Sequence, residues 1–452
     1  MIAASLPTRL VTAILLCLVN LAASSASGAP ALAAVVTLDE ARAAALRSHE
    51  RLAVARADEE RAAVAPWRAL SALAPSLTAT GSYTREKEAI EFPTQPGLPT
   101  GGFNPLILAR DPVRGILSAT QPIYTHQFWA LRELGQSEVT RSAEAYRAAV
   151  QDVILSVTAA YYEMLRAVAV RRVAEESAEL AAAELKHART RYDVGESLRS
   201  DVLRAETEAA RATQRIAEAR GAVDVAAVTL ARLTGINETF DVLEPPQRVL
   251  GAASPSTLLE TARVHNPDLL QAEQALATAR AEEARREATL YPTLVARGSY
   301  RLVNEETFVE LNNFWQVGVA IDIPLLEAGG TRYLDLAEQR ARVKGAEAQL
   351  AGLRRDLELE IGRAFVRAQT LEVVQATVEK EATLASDTYH LLSRQYEAGA
   401  ATSLDVLSAL TARATAQSNR AAVRYTHGLA LTELDRLQGT LDGGTTPQRT
   451  RQ

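Results

Sequence analysis

The side chains that usually carry catalysis or hold metals are dispersed along this sequence of 452 residues. None of the histidines shows the H-E-x-x-H spacing, or any other paired spacing, that sets two imidazoles on one metal ion. The histidines are His49, His126, His187, His265, His390 and His427. The P-loop, G-x-S-x-G and G-x-G-x-x-G motifs are absent as well. The sequence therefore predicts a protein that is not an enzyme and that needs no metal or cofactor.

Clustered polar residues elsewhere have structural explanations. The tract EAGGTR at 327–332 could cradle a phosphate before a helix, but a corner between a strand and a helix explains its glycines better. The acidic clusters ADEER at 57–61 and AEEARR at 281–286 fit solvated helix faces with ion pairs one helical turn apart. Neither group predicts a reaction.

One polar pattern occurs twice. RYDVGESLRSDVL at 191–203 and QYEAGAATSLDVL at 395–407 share a tyrosine, a glycine and an Asp-Val-Leu. The matched pairs are Tyr192 with Tyr396, Gly195 with Gly399, and Asp201 with Asp405. Each glycine separates two helical tracts, and glycine adopts positive φ readily, as a tight turn requires. The pattern therefore predicts the tips of two helical hairpins.

The rest of the chain repeats too, so that one structural unit occurs twice. LAPSLTATGSY at 73–83 resembles LYPTLVARGSY at 290–300. We predict a first repeat over 32–235, a linker with proline and glycine over 236–255, a second repeat over 256–439 and a polar tail over 440–452. Each repeat is predicted to hold a helix, two strands and a long helical hairpin. The opening helices should span about 38–72 and 256–289.

The predicted hairpin helices are unusually long. From 125 to 192 the chain has no proline and one glycine, and from 331 to 396 it again has no proline. About 68 helical residues would extend about 100 Å. Apolar residues spaced three and four apart, with abundant alanine between them, are typical of closely packed antiparallel coiled coils.

Four segments, 76–85, 115–124, 293–302 and 315–324, alternate apolar and polar residues. About ten residues suffice to cross a bilayer when the strand is tilted. Aromatic residues near the segment ends could form girdles at the membrane interfaces; we select Tyr83, Tyr124, Trp129, Tyr300, Phe314 and Trp315. A soluble sheet that packs one face on a core would show the same alternation. The charged residues Arg297, Arg301 and Asp322, however, require water on the second face.

The number of strands predicts an oligomer. Unpaired backbone groups in lipid cost several kcal/mol each, and bacterial membrane barrels have about eight strands or more. Four strands cannot close such a barrel. Several chains must therefore share one, although closure alone does not set their number.

The N-terminus is predicted to direct export. Arg9 precedes an apolar tract, 10–23, that is too short to span a membrane comfortably, and small residues follow it. We assign 1–31 to a signal peptide, whose removal would take away Cys17, the only cysteine. No later tract has about 18 consecutive apolar residues, so no transmembrane helix is predicted. The formal net charge of −6 does not indicate a nucleic-acid-binding protein.

These features together resemble the TolC-type outer-membrane efflux proteins. The likeness covers essentially the whole mature chain and includes the two YxxGxxxxxDVL patterns, NPDL at 266–269 and PLLEAGG at 324–330. The resemblance implies a mainly α protein with a small β part. It would form a homotrimer that shares a twelve-stranded barrel in the outer membrane and a helical tunnel in the periplasm.

The resemblance also implies a function. The protein would be the passive exit duct of a tripartite efflux or type I secretion system, and its tips would dock on a membrane-fusion adaptor that carries an inner-membrane pump. Gly195 and Gly399 would mark those tips. The substrate is not implied. The alternative is a soluble periplasmic coiled-coil scaffold or adaptor, but an adaptor would usually carry a compact β domain between its hairpin arms.

By position, the resemblance places Asp201, Asp405 and Tyr396 at a periplasmic constriction, and we add Tyr192 as the counterpart of Tyr396 in the first repeat. The aspartates could equally serve as helix caps after the turns.

The polar links that hold the family's tips closed are partly altered in this chain. Ala401 and Ser408 stand where some members have an arginine and a second aspartate. Arg191, Arg199 and Arg204 are the candidates to replace such a link.

Overall fold

The computed structural model describes residues 34–92, 105–236, 240–251, 253–307, 311–325 and 330–441. The predicted signal peptide lies outside these residues, and so do most of the predicted tail and residues 326–329 of the predicted strand-to-helix corner.

Helices dominate the described chain. In chain order they are α1 (Leu38–Ser48), α2 (Glu50–Ala63), α3 (Ala65–Ser71), α4 (Gln127–Asp193), α5 (Arg199–Thr234), α6 (Pro255–His265), α7 (Pro267–Ala288), α8 (Thr331–Glu397) and α9 (Ser403–Gln438). The strands are β1 (Ala34–Val36), β2 (Ser76–Tyr83), β3 (Ile90–Glu91), β4 (Leu106–Leu108), β5 (Val113–Tyr124), β6 (Phe240–Val242), β7 (Thr293–Val303) and β8 (Asn313–Asp322).

The opening helix of each repeat is interrupted, so the prediction of single helices at 38–72 and 256–289 is wrong. His49 adopts an extended backbone and its Nδ1 accepts a hydrogen bond from the Arg51 N–H at 3.2 Å, which begins α2. Asn266 is also extended, because the following Pro267 disfavours a helical conformation at the residue before it. Its Oδ1 then caps α7 by accepting from the Leu269 N–H at 2.9 Å. Each repeat therefore opens with more than one helix.

The long hairpins are as predicted. Helices α4 and α8 each contain 67 residues, and α5 and α9 each contain 36. In the first hairpin α4 packs along α5, in the second α8 packs along α9, and α4 also packs on α9. The four hairpin helices therefore lie side by side in the order α5–α4–α9–α8.

Two apolar cores lie where each hairpin meets the opening helices of its repeat. The first contains Val153, Val157 and Tyr161 of α4 with Leu230 of α5 and residues of α1. The Tyr161 hydroxyl contacts two backbone carbonyls, those of Val36 at 2.9 Å and Leu243 at 2.6 Å. The contact with Leu243 holds the linker against the first repeat. The second core packs α6 and α7 against α8 and the end of α9.

One 18-residue window of α4 is long and apolar enough to cross a membrane by length and composition alone. The prediction that no such helix exists was based on the lack of about 18 consecutive apolar residues. A stretch of 18 residues that includes one or two charged residues does not meet that condition but can still be apolar on average. More than half of the window is buried against the chain's own helices. Burial of this kind is the property of a core helix.

The four predicted membrane strands form one antiparallel sheet in the order β2-β5-β7-β8. Two small pairings were not predicted. Strand β1 pairs in parallel with β6, and β3 pairs with β4. Two- and three-residue strands are too short to show a periodicity, which explains why the sequence did not reveal them.

Candidate functional site

The two hairpin tips have the same backbone geometry. Gly195 has φ +78° and Gly399 has φ +75°. At the first tip the Gly195 N–H donates to the Tyr192 carbonyl at 3.0 Å, and at the second the Gly399 N–H donates to the Tyr396 carbonyl at 3.0 Å. These bonds satisfy the last carbonyls of α4 and α8 in the manner of a glycine C-cap. The predicted turns are therefore at these two glycines.

Asp405 is part of a reciprocal cap at the start of α9. Its N–H donates to the Thr402 hydroxyl at 3.3 Å, while its carboxylate accepts from the Thr402 N–H at 3.0 Å and from the Thr402 hydroxyl at 2.6 Å. The hydrogen bonds from Thr402 lower the pKa of the fully exposed Asp405 carboxyl. Capping, one of the two roles left open by the sequence, is thus present. The cap residue itself is Thr402, and Asp405 reaches back to it.

Asp201 forms a weaker version of this arrangement at the start of α5. Its carboxylate accepts from the Leu198 N–H at 3.3 Å and from the Ser197 hydroxyl at 3.2 Å. Leu198 has no polar side chain to return a bond. Arg204 lies 3.6 Å from the other carboxylate oxygen. Arg204 therefore stays within its own hairpin in this structure.

The two repeat-related tyrosines occupy different environments. Tyr396 is buried between the hairpins, whereas Tyr192 is nearly half exposed. Burial raises the pKa of the Tyr396 hydroxyl, an effect that the positive charge of Arg191 opposes. The structure therefore brings Tyr396, but not Tyr192, into the contact between hairpins.

Arg191 joins the first hairpin to the second at the tips. Its guanidinium donates to the Tyr396 carbonyl at 2.7 Å, and the guanidinium carbon lies 5.0 Å from the centroid of the Tyr396 ring. The same group lies 3.8 Å from Glu196. Of the three arginines proposed as replacements for the altered link, Arg191 is the one with a described contact across the hairpins.

Two further links across the hairpins were not predicted from the sequence. Glu184 of α4 accepts from the hydroxyls of Tyr389 and Ser393, each at 3.3 Å. Higher up, the buried Arg413 of α9 pairs with Glu176 of α4 at 2.5 Å. The buried Glu184 and Arg413 lie on otherwise small or apolar helix faces, and this departure from the pattern is the signal that could have identified them.

The strand register gives the sheet one apolar and one polar face. Alternate residues of the four strands meet across the sheet, so that Ala79, Leu117, Tyr300 and Trp315 lie in one row. The neighbouring rows of this face contain mainly apolar side chains, namely Leu77, Val113, Leu294, Val317, Val319 and Ile321. Most of them are strongly exposed. An exposed apolar sheet face of this size has the character of a lipid-facing surface.

The aromatic residues selected for the membrane girdles divide between several places. Tyr83, Tyr300 and Trp315 lie on the apolar face towards the end of the sheet remote from the helices, and Tyr124 lies on it near the helical end. Trp129 is an exposed residue of α4 just beyond the sheet. Phe314 is paired with Arg301 and lies on the polar face instead.

The fold matches known outer-membrane channels. VceC from Vibrio cholerae superposes with a TM-score of 0.72 at 20% identity, over 89% of this chain and 96% of that one. A family model described as "Outer membrane efflux protein" matches residues 41–236 and 258–440, one match for each repeat. The chain belongs to the outer membrane efflux protein family. Curated relatives agree with this assignment. The TolC protein of Vibrio cholerae is 25% identical over 82% of this chain and 83% of its own. The CyaE protein of Bordetella pertussis is 31% identical, but the match spans about half of each protein.

These matches confirm the predicted mainly α fold with a small antiparallel sheet and two repeats, the predicted location and the predicted class of function. The chain is an efflux channel of the outer membrane that extends into the periplasm, and it is not an enzyme. The soluble scaffold or adaptor that the sequence left as an alternative is therefore wrong.

Proposed function

We propose that three copies of this chain form one duct, with a shared twelve-stranded barrel in the outer membrane and a helical tunnel in the periplasm. The observation that carries the proposal is the four-stranded sheet with two outer strands, β2 and β8, each paired on one side only among the described residues. A sheet edge cannot face lipid, because its unpaired N–H and C=O groups have no water to bind.

The direction of the strands allows copies to join. Because the sheet is antiparallel and its strand number is even, β2 and β8 run in opposite directions. The β8 strand of one copy can then pair with β2 of the next and continue the antiparallel pattern. Three copies give twelve strands, within the range of bacterial outer-membrane barrels.

The height of the apolar face supports a membrane position. Val113, the partner of Tyr83, and Tyr124 lie at opposite ends of β5. Their separation in sequence corresponds to about 37 Å along the strand, or about 28 Å along the axis of a barrel whose strands tilt by about 40°. This agrees with an apolar band about 25 Å high. Tyr83 and Tyr124 are then placed at the two membrane interfaces, with Tyr300 and Trp315 between them and Trp129 on the periplasmic side.

The outer helix of the second hairpin offers a surface to a neighbouring copy. The exposed apolar side chains of α8 recur at intervals of seven or eleven residues, as at a coiled-coil seam; they are Leu359, Val366, Val373, Leu384 and Leu391. The other outer helix, α5, exposes Val225 and Val228. Packing of α8 on α5 of the next copy would bury both stripes and close the tunnel.

The tips are proposed to form the gate and the docking site for an adaptor and its inner-membrane pump. Asp405 and Asp201 lie at the start of the returning helices, so three copies would gather these carboxylates around one axis. Tyr396 and its counterpart in the first repeat, Tyr192, are assigned to the same proposed constriction. Next to Gly195 and Gly399 the tips expose Val194, Leu198 and Leu404. Exposed apolar side chains at a solvated tip are suited to a protein partner.

Cysteine cross-linking tests the shared barrel. A cysteine at Thr78 of β2 is combined in turn with one at four of the polar-face positions of β8, Phe314, Gln316, Gly318 and Ala320. Oxidation should produce a covalent trimer with at least one combination. The control combines Thr78 with Ser118, its partner within the chain, and should leave the mass unchanged. If no combination links chains in outer membranes, the shared barrel is wrong.

A further inference from the structure

His427 of α9 is a buried histidine whose hydrogen bonding is incomplete. Its side chain is 2% exposed, and its Nε2 has no hydrogen-bond partner among the described residues. Buried polar atoms in folded proteins almost always bind a protein group or an ordered water molecule, because an unpaired one is destabilising. His427 therefore points to a partner that the chain itself does not supply.

A small pocket lies against His427, between α4, α9 and the linker. Its volume is about 20 Å³, enough for one water molecule and too small for a larger ligand. Besides His427, its wall contains polar side chains from three parts of the chain, namely Tyr162 of α4, Tyr425 of α9, and Glu244 and Arg248 of the linker. A bound water needs about two to four polar partners, and this wall can provide them.

The glycine that follows His427 lets α4 approach α9 at this pocket. A Cβ on Gly428 would lie 2.8 Å from Cζ and 2.9 Å from the hydroxyl oxygen of Tyr162, closer than a Cβ comes to other atoms. The Tyr162 ring therefore rests directly on the backbone of α9. It also stacks on Tyr425, with 6.2 Å between the ring centroids. Closely packed rings thus form one wall of the pocket.

The linker forms the opposite wall and is fastened to α9 by polar contacts. The Glu244 carboxylate accepts from the Tyr425 hydroxyl at 3.2 Å and pairs with Arg424 at 2.9 Å. Arg248 pairs with Asp435 at 2.8 Å. The side chains of both ion pairs are partly exposed. Because contacts of this kind are weak, a change of charge at His427 is able to affect the attachment of the linker.

We propose that the pocket binds one water molecule, which joins His427 to the linker, and that protonation of His427 loosens the linker. In the neutral imidazole, Nε2 forms one hydrogen bond with the water, as donor or acceptor according to the tautomer. All the residues involved belong to one chain and lie outside the four-stranded sheet. The inference is therefore independent of the proposed shared barrel.

The surroundings of His427 disfavour its charged form. Burial lowers the pKa of the imidazole, Glu372 of α8 opposes this effect, and the positive charge of Arg248 adds to it. Glu244 and Asp435 are each paired with an arginine. Further titratable or charged side chains around the pocket are Tyr162 and Arg172 of α4, Arg424 and Tyr425 of α9, and Arg42 of α1, which acts on Tyr162. The stabilising effect of the neutral imidazole is therefore complete above the ordinary histidine pKa of about 6.5, and it is lost as the pH falls through the lower folded-state value.

Hydrogen-exchange mass spectrometry of the purified full-length mature protein in detergent measures the attachment of the linker. The amides of β6, which pairs with β1, and of Leu243, which donates to the Val36 carbonyl, lie directly before the pocket-lining residues of the linker. After correction for intrinsic rates, we expect these amides to exchange about three- to tenfold faster at about pH 5.5 than at about pH 7.5.

Three variants assign this response to His427. H427Q keeps a polar side chain but does not titrate, so its exchange should be the same at both pH values. H187Q replaces an exposed histidine of α4 and should keep the response of the unmodified protein. E244Q weakens the contact with Arg424. Because the ordinary glutamate pKa is about 4.3, E244Q should raise exchange by a similar factor at both pH values and keep the pH response.

Each part of the inference has its own contrary result. Equal exchange at both pH values in the unmodified protein, or a response that remains in H427Q, would overturn the sensitivity to protons. Loss of the response in E244Q would also overturn it, because Glu244 would then be the group that titrates. An experimental structure at a resolution that shows ordered water tests the pocket. Density within hydrogen-bond distance of His427 Nε2 supports the water site, and a pocket without density there overturns it. The shared barrel is tested separately by the cysteine cross-links.

Discussion

Arg191 of the first hairpin and Tyr396 of the second are held together by two interactions at once. The guanidinium donates to the Tyr396 carbonyl at 2.7 Å and lies 5.0 Å from the centroid of the tyrosine ring. Because both residues belong to the tips, the contact fixes the position of one hairpin relative to the other at the proposed constriction. Further from the tips, the Glu184 and Arg413 links hold the same pair of hairpins in register.

The Arg191 contact is expected to oppose opening of the proposed gate. Arg191→Met keeps an unbranched, flexible side chain but removes the guanidinium group, and with it both interactions. A link of this kind contributes about 1–2 kcal/mol, so the equilibrium between open and closed tips should shift about 5- to 30-fold towards the open state. Single-channel recording measures the fraction of time in the high-conductance state.

The control for Arg191 lies two residues away. Arg189 pairs with Glu206 at 2.6 Å within the first hairpin, and both side chains are exposed. Arg189→Met should therefore leave the open fraction nearly unchanged. Equal effects of the two substitutions would show that general loosening of the tip, and not the link between hairpins, controls opening.

The charge of Asp405 and its hydrogen bonds can be separated by two substitutions. Asp405→Ala removes both the carboxylate and the cap, whereas Thr402→Ala removes the hydroxyl of the cap and keeps the charge. If three Asp405 carboxylates line the constriction, cation preference should fall in Asp405→Ala and stay in Thr402→Ala. Bilayer reversal potentials provide the measurement. If the cation preference is the same in Asp405→Ala, in Thr402→Ala and in the unmodified channel, Asp405 acts only as part of the helix cap.

The cap should also respond to pH. Hydrogen bonds from Thr402 lower the pKa of Asp405, so its stabilising effect is complete above the ordinary aspartate pKa of about 3.9 and is lost as the pH falls through the lower folded-state value. Protection of the first turn of α9 in hydrogen-exchange mass spectrometry, corrected for intrinsic rates, should drop over this acidic range. In Asp405→Asn the protection should not vary with pH there.

Two glycines that end the returning helices test the packing between repeat elements. Gly235 ends α5 with φ +73°, and Gly439 ends α9 with φ +74°. Alanine at either position incurs the cost of a left-handed backbone, about 1–2 kcal/mol. A Cβ at Gly235 would lie 3.0 Å from the Ser48 hydroxyl oxygen, which can rotate away. At Gly439 it would overlap the backbone of His265 and Asn266.

Gly439→Ala should therefore destabilise the protein by about 3 kcal/mol or more, and Gly235→Ala by about 1–2 kcal/mol. Thermal unfolding of the detergent-solubilised protein, followed by circular dichroism, compares the two variants. If the two variants lose similar amounts of stability, the left-handed backbone conformation alone explains the need for glycine at both positions. The backbone of His265 and Asn266, between α6 and α7, would then shift to make room for the added Cβ at position 439.

Much of the architecture could be read from local patterns. Uninterrupted helical tracts predicted α4 and α8, and alternation of apolar and polar residues predicted the four strands of the sheet, because periods of 3.6 and 2 residues identify helices and strands without tertiary information. The tip glycines were identified in the same way, since a chain reversal between two helices needs positive φ. The breaks at His49 and Asn266 were missed, although Pro267 marks the second one.

The residues that connect distant elements depended on the tertiary structure. Arg191, Arg199 and Arg204 were equivalent candidates by sequence, and only the packing of α4 on α9 brought Arg191 to Tyr396. The same packing buried Tyr396 and left its counterpart Tyr192 exposed, because the inner and outer faces of a hairpin are set by its neighbours. Likewise, the alternation along each strand was visible in the sequence, but only the register between strands gathered Arg114, Arg297 and Arg301 on one face. Periodicity is a property of neighbouring residues, whereas contacts between residues 200 positions apart follow from how whole elements pack.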